Sequence, residues 1–290
     1  MNRKPALFAL GAIALWALFA TLGTQLRSLP PFFVAGAGLC IGSTLSLPHA
    51  RQWKVAPNIF LNGVFGIFGY HLLIFSAFRH APTLQANLLS YIWPLLLVLL
   101  SPLALPGSRI GLNHILGSLL GFAGAGLIVT GGSLNLVTAD IPGYLLALGA
   151  ALVWACYSVF TRRLPAFNNA AVGGFCLASG LLALLCHQLF EPSAIVSTRQ
   201  WLVLVLLGAG PMGASYLFWN RAVTQGDPRQ IGAMAYVTPL LSTLLLVVCG
   251  QAELNSAATL AIFLIMGGAV LGGVPVKEIV RRLAGAPAQV

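Results

Sequence analysis

Runs of about twenty uncharged, mostly apolar residues follow one another along this chain, parted by short segments that hold nearly all of its charges. That pattern restricts the fold more than any motif does. In lipid, the backbone N–H and C=O groups of such a run must be satisfied within the structure itself. Helices do this within one run. A barrel would need alternating apolar and polar positions, which these runs lack. Only 7% of the residues are charged, 58% are hydrophobic and the mean hydropathy is +0.91, whereas a soluble domain carries about 25% charged residues. The expected fold is an all-α polytopic membrane protein.

Loop signals divide the chain into ten predicted transmembrane helices. The first five are Ala6–Leu26, Pro31–Leu47, Pro57–Phe78, Thr83–Ser101 and Leu112–Thr130. The second five are Pro142–Phe160, Ala171–Phe190, Trp201–Asn220, Gln230–Cys249 and Ala257–Val274. Met1-Asn-Arg-Lys followed by an apolar run resembles a secretory signal, but the run is too long for one and reads as a retained first span. The net charge of +10 does not point to nucleic acid, because the charges are scattered one or two per loop. Loop charge sets orientation in membranes. With the N-terminus cytoplasmic, twelve of the fifteen basic residues fall inside and three (Arg27, Arg79, Arg199) outside. Both termini are therefore expected in the cytoplasm. The five cysteines all lie in apolar segments without a CxxC, so neither disulfides nor zinc are indicated.

Two halves of the sequence echo each other. Leu10-Gly11-Ala12-Ile13-Ala14-Leu15-Trp16-Ala17 matches Leu148-Gly149-Ala150-Ala151-Leu152-Val153-Trp154-Ala155 at five of eight positions. Tyr91-Ile92-Trp93-Pro94-Leu95-Leu96 matches Tyr236-Val237-Thr238-Pro239-Leu240-Leu241 at four of six. Gly124-Ala125-Gly126 parallels Gly267-Gly268-Ala269. The order is kept and the offsets (138, 145 and 143) are nearly constant. The repeat unit holds an odd number of spans, so residues 1–135 and 136–290 are expected as inverted five-helix repeats, a plan common among secondary transporters. Gly117, Gly121, Gly124 and Gly126, with Gly268 and Gly272, read as helix-packing positions.

These features resemble the drug/metabolite transporter superfamily in its ten-helix EamA-type branch, and within it the bacterial aromatic amino acid exporters. The resemblance covers nearly the whole chain. It implies a multi-pass carrier of the bacterial inner membrane that moves amino acids or other metabolites outward.

The residues themselves point the same way. Trp and Tyr normally gather at membrane interfaces, as Trp53 and Trp201 do here. Trp16, Trp93, Trp154, Tyr70 and Tyr91 instead sit deep in their spans, where a phenol or indole N–H wants a partner that lipid lacks. Trp154, Tyr157, Ser158 and Thr161 make one stripe, and Tyr216, Trp219 and Asn220 another. Asn87 shares a face with Tyr91, and His71 with Phe75 and Phe78. Each stripe reads either as a cavity wall or as interhelix packing with hydrogen-bonding glue. The candidate substrate-binding set is Trp16, Tyr70, His71, Asn87, Tyr91, Trp93, Trp154, Tyr157, Ser158 and Tyr216. Tyr91 and Trp93 can line one cavity only if the helix bends, and Pro94 supplies a cause. Pro94 and its repeat partner Pro239 also free the carbonyls of Ser90 and Ala235, and both prolines are hinge or gate candidates.

All five acidic residues lie in loops or at helix ends, so no intramembrane carboxylate is placed as a proton relay. Facilitated movement is the expectation, with His71 the one plausible proton carrier. No acid–base or metal constellation suggests an enzyme, and no cofactor or protein partner is indicated. A neutral, aromatic-lined cavity suits zwitterionic amino acids. The competing reading is a multidrug or organic-cation exporter, since cations can sit on aromatic faces. Phosphorylated cargo is disfavoured, because no Arg or Lys is placed inside the bundle.

Overall fold

The computed structural model describes residues 3–104, 111–130, 138–235, 237–251 and 256–273, and among these every regular element is helical. The first half contains α1 (Arg3–Thr24), α2 (Pro31–Ser43), α3 (Pro57–His80), α4 (Thr83–Ser90), α5 (Trp93–Ala104) and α6 (Leu112–Thr130). The second contains α7 (Ile141–Arg163), α8 (Ala171–Phe190), α9 (Thr198–Ala209), α10 (Ser215–Gln225), α11 (Pro228–Ala235), α12 (Val237–Val248) and α13 (Ser256–Gly273). A 3-10 segment, Thr44–Trp53, prolongs α2, and a π-helical turn, Gly210–Ala214, joins α9 to α10. Among the described residues, seven helical segments are long and apolar enough to cross a membrane. Two shorter apolar helices lie within α6 and α13.

Among the described residues, two predicted spans are interrupted. The run from Thr83 is broken between α4 and α5 at Tyr91 and Ile92. The run from Gln230 contains α11 and α12, and Tyr236 between them lies outside the described residues. The span predicted as Trp201–Asn220 extends from Thr198 to Gln225 with the π turn inside it. Pro211 begins that disturbance, because its nitrogen cannot bond to the preceding turn. The hydroxyl of Ser215 bonds back to the Pro211 carbonyl.

The helix ends follow from the chain's own chemistry. Prolines occupy the first turn of α2, α3 and α7, where a missing N–H is not needed. At α9, Ser197 and Gln200 form a reciprocal capping box. The start of α2 is capped differently. Its preceding residue, Pro30, offers no side-chain acceptor. Glu191, at the end of α8, supplies one from the other half of the chain. Its carboxylate accepts from the backbone N–H groups of Phe32 (3.0 Å) and Phe33 (3.2 Å). It also pairs with Arg79 at 2.5 Å and His187 at 3.0 Å, and its side chain is fully buried. The Arg79 guanidinium stacks over the Phe32 ring at 5.3 Å. Glu191 lies at a helix end, as expected, and from there its buried side chain staples α2, α3 and α8 together.

The bundle packs through small residues and turns its large apolar ones outward. Ala9, Ala12, Ala147, Ala150, Ala151 and Ala155 are fully buried, whereas Leu7, Leu61, Phe65, Leu119 and Phe122 are exposed. That is the pattern of helices packed in lipid. The α3–α7, α1–α10, α2–α8 and α6–α13 pairs make the most extensive contacts. In the last of these, a Cβ on Gly268 would stand 2.4 Å from the Gly117 carbonyl oxygen and 2.8 Å from the Gly121 nitrogen. Only glycine permits backbones that close.

Two outcomes are expected. Glu191→Ala should lower the melting midpoint in detergent by the roughly 1–3 kcal/mol of a lost cap with stranded buried donors. Arg79→Ala should shift it less, because its side chain is 36% exposed and is already partly solvated; equal shifts would assign the effect to the ion pair instead. Gly268→Leu should abolish a monodisperse gel-filtration peak by forcing α6 from α13, while Gly267→Leu, with nothing within 4 Å, should be tolerated.

Candidate functional site

The break between α4 and α5 shapes the site. After Ser90 the backbone tightens: Tyr91 N–H bonds to Leu88 O and Ile92 N–H to Leu89 O, each at 3.1 Å. Helix resumes at Trp93, placing Pro94 in the first turn of α5, where proline costs little. The proline therefore starts a new helix rather than kinking a continuous one. This turn brings Tyr91 and Trp93, two residues apart, to one cavity together with Asn87.

Four other helices supply rings. Trp16 of α1, Tyr70 of α3, Trp154 of α7 and Tyr216 of α10 line the same space, with Phe19 and Thr238 completing the wall. Trp16 meets Trp154 edge-on at 5.7 Å and Trp93 at 6.0 Å. Trp154 in turn lies 5.4 Å from Tyr216 and 5.5 Å from Tyr70. Such tilted and T-shaped pairings are the ones that aromatic quadrupoles favour. The space in the cavity open to water-sized solvent is about 50 Å³, below the ~300–1,000 Å³ usual for small-molecule sites. No residue lining it carries a formal charge.

Three of the predicted residues stand behind this wall rather than in it. His71 is buried, with Nδ1 2.7 Å from the Ile67 carbonyl and Nε2 3.3 Å from the Tyr216 hydroxyl. Both its nitrogens are engaged, so it braces Tyr216 instead of meeting the cavity as a free proton carrier. Tyr157 packs 5.2 Å from Trp154, and its ring occupies the space a Cβ on Gly66 would need. Ser158 accepts a 3.0 Å hydrogen bond from the Trp219 indole. Trp219 is fully buried 5.1 Å from both Trp16 and Trp93. Lower on the same stripe of α7, the Thr161 hydroxyl accepts from Asn62 of α3 at 2.9 Å. That stripe is a cavity wall at Trp154 and interhelix packing from Tyr157 to Thr161.

Phe19 and Asn87 also line a second, larger cavity of about 270 Å³, which reaches Thr24, Arg27, Pro31 and Phe78. Thr24 and Arg27 are shared with a third, of about 640 Å³, bordered by Arg199, Gln200 and Gln251. Shared lining residues thus set the three cavities in sequence from the aromatic site towards the end of the bundle where α1 and α3 finish and α9 begins. Towards the opposite end, Trp219 and its Ser158 bond back the site. Among the described residues, no group of three or more His, Cys, Asp or Glu could hold a metal ion.

Sequence reasoning missed Phe19 and Thr238. A signal for Thr238 was available: in the paired motifs it occupies the place of Trp93. Phe19 is one of sixteen phenylalanines, and nothing local distinguishes it.

Comparison with known proteins agrees with this picture. The aromatic amino acid exporter YddG of Ancylobacter novellus is 38% identical over 281 residues, covering 93% of this chain and 98% of that protein. The exporter of the same name from Escherichia coli K12 is 25% identical, covering 93% and 97%. One solved crystal structure superposes with a TM-score of 0.82 at 37% identity, covering 98% of this chain and 99% of its own. The sequence model of the EamA-like transporter family matches twice, over residues 3–130 and 141–272. A transporter family and exporter relatives mark a membrane transporter and not an enzyme, and the chain belongs to the EamA-like transporter family.

Proposed function

We propose that this protein exports zwitterionic amino acids, aromatic ones included, across the bacterial inner membrane by alternating access. The observation that carries the reading is the uncharged cavity walled by Trp16, Trp93, Trp154, Tyr70, Tyr91 and Tyr216. Its rings can stack on an aromatic or bulky apolar side chain. A site without fixed charge does not bind a net ion well, so a molecule of zero net charge fits best. Outward direction and amino acid cargo are carried over from the names of the two exporter relatives.

The architecture of the proposal is ten spans in two inverted repeats, residues 1–135 and 136–290, with both termini cytoplasmic. Support comes from the double family match and from the packing: α3–α7 and α1–α10 are the same pair with the halves exchanged, as are α5–α7 and α1–α12. The α2–α8 and α6–α13 pairs each join counterparts across the axis. In that frame the sequence of cavities past Arg27 and Arg199 leads outward. Pro94 and Pro239 are proposed as hinges on which the halves rock. Transport is read as facilitative, because no carboxylate lines the cavity and His71 is occupied.

Proteoliposome counterflow with radiolabelled phenylalanine tests this. Wild type should exchange it with or without a pH gradient, and Trp154→Ala or Tyr91→Ala should cut exchange at least tenfold, the factor equivalent to about 1.4 kcal/mol. Exchange driven by the pH gradient would restore a proton-coupled reading through His71. Strong competition by organic cations, with none by amino acids, would favour the multidrug alternative.

A further inference from the structure

We infer that the substrate's carboxylate is held where an interrupted helix restarts, at the N-terminal end of α5, with the Thr238 hydroxyl as its donor. The inference rests on the amino acid reading above and deepens it.

Three observations converge. First, α5 begins at Trp93, and that beginning abuts the cavity, which Trp93 and Thr238 line. The first-turn N–H groups of a helix have no partner within it and carry its positive partial charge. Such ends are ready-made anion sites. Second, Thr238 is 1% exposed and its hydroxyl has no hydrogen-bond partner. An orphaned buried hydroxyl costs about 1–3 kcal/mol, a cost that a ligand in the cavity would remove. Third, ring faces make up most of the remaining wall, beside the Asn87 amide, and such faces do not attract a carboxylate. The faces of Trp16, Trp154, Tyr70 and Tyr216 are negative and attract cations. An amino acid is thereby oriented: ammonium towards the rings, carboxylate towards the start of α5 and the Thr238 hydroxyl. No lysine or arginine is needed, which is why the absence of one from the cavity does not preclude carboxylate recognition.

The test compares phenylalanine with phenylalaninamide, which lacks the carboxylate but keeps ring and ammonium, as inhibitors of counterflow. In wild type, phenylalanine should bind about tenfold more tightly than the amide, since hydrogen bonds to a charged group are the stronger ones. Thr238→Val keeps the shape and removes the hydroxyl. It should weaken phenylalanine about tenfold, leave the amide unchanged and collapse the preference, while Thr238→Ser restores it. Should the valine variant not fold, Thr238→Ala carries the same expectation. Equal weakening of both ligands, or a preference retained without the hydroxyl, would overturn the inference. A wild type that binds both ligands alike would overturn it too, leaving amino acid transport intact. A wild type that moves no amino acid would overturn both readings.

Discussion

A bilayer offers a buried O–H or N–H nothing to bond to, and the interior of this bundle is organised by that fact. Its polar tips are answered by other helices. Trp219 of α10 donates to Ser158 of α7, Asn62 of α3 to Thr161 of α7, and His71 of α3 stands between its own backbone and Tyr216 of α10. Such bonds contribute little as glue, averaging about 0.6 kcal/mol between membrane helices. Leaving one unmade costs more, about 1–3 kcal/mol. The asymmetry means that they specify which helices meet, and in what rotation, more than they strengthen the meeting. The α3–α7–α10 wall is fixed in this way, so Trp154, Tyr70 and Tyr216 can present rings to one space.

The same constraint explains the Glu191 staple. The α2 helix starts at Pro31 with free N–H groups and no side-chain cap of its own. Glu191 arrives from α8 already committed to Arg79 and His187. A buried carboxylate alone would be costly; here two backbone donors and two basic side chains share it. The result ties two elements of the first half to one of the second beside the cavity bordered by Pro31 and Phe78.

Much of this was legible in the residues, and the parts that were not share a cause. The seventh predicted span, Ala171–Phe190, has the bounds of α8, because its loops are marked by polar and helix-breaking residues. The ring cluster was legible from depth alone, since mid-span Trp and Tyr need a reason. The break at Tyr91 was harder. Pro94 announced a disturbance, but its place in the first turn of α5 depends on where the preceding helix stops, and Leu88 to Ser90 carry no stop signal. His71 misled for another reason. An ionisable group in mid-membrane reads as functional, but its partner Tyr216 lies 145 positions away. Glu191 belongs with it: its bonds run to Phe32, Phe33 and Arg79, all in the first half of the chain. Pairing across that distance is a property of the fold and leaves no local trace.

The cavity's chemistry follows from what it omits as much as from what it holds. A lysine or arginine would bind a carboxylate more strongly, but in a ring-walled space it would remain a net charge when the cargo left. That empty state would carry the desolvation cost of an unpaired ion. Partial charges from a helix end and a hydroxyl spread the same attraction over groups that are neutral when empty. In the proposed carrier this matters, because its empty form must also reorient. A site built from rings and dipoles can hold a zwitterion and release it without changing protonation, and this is compatible with a cycle driven by the solute gradient alone.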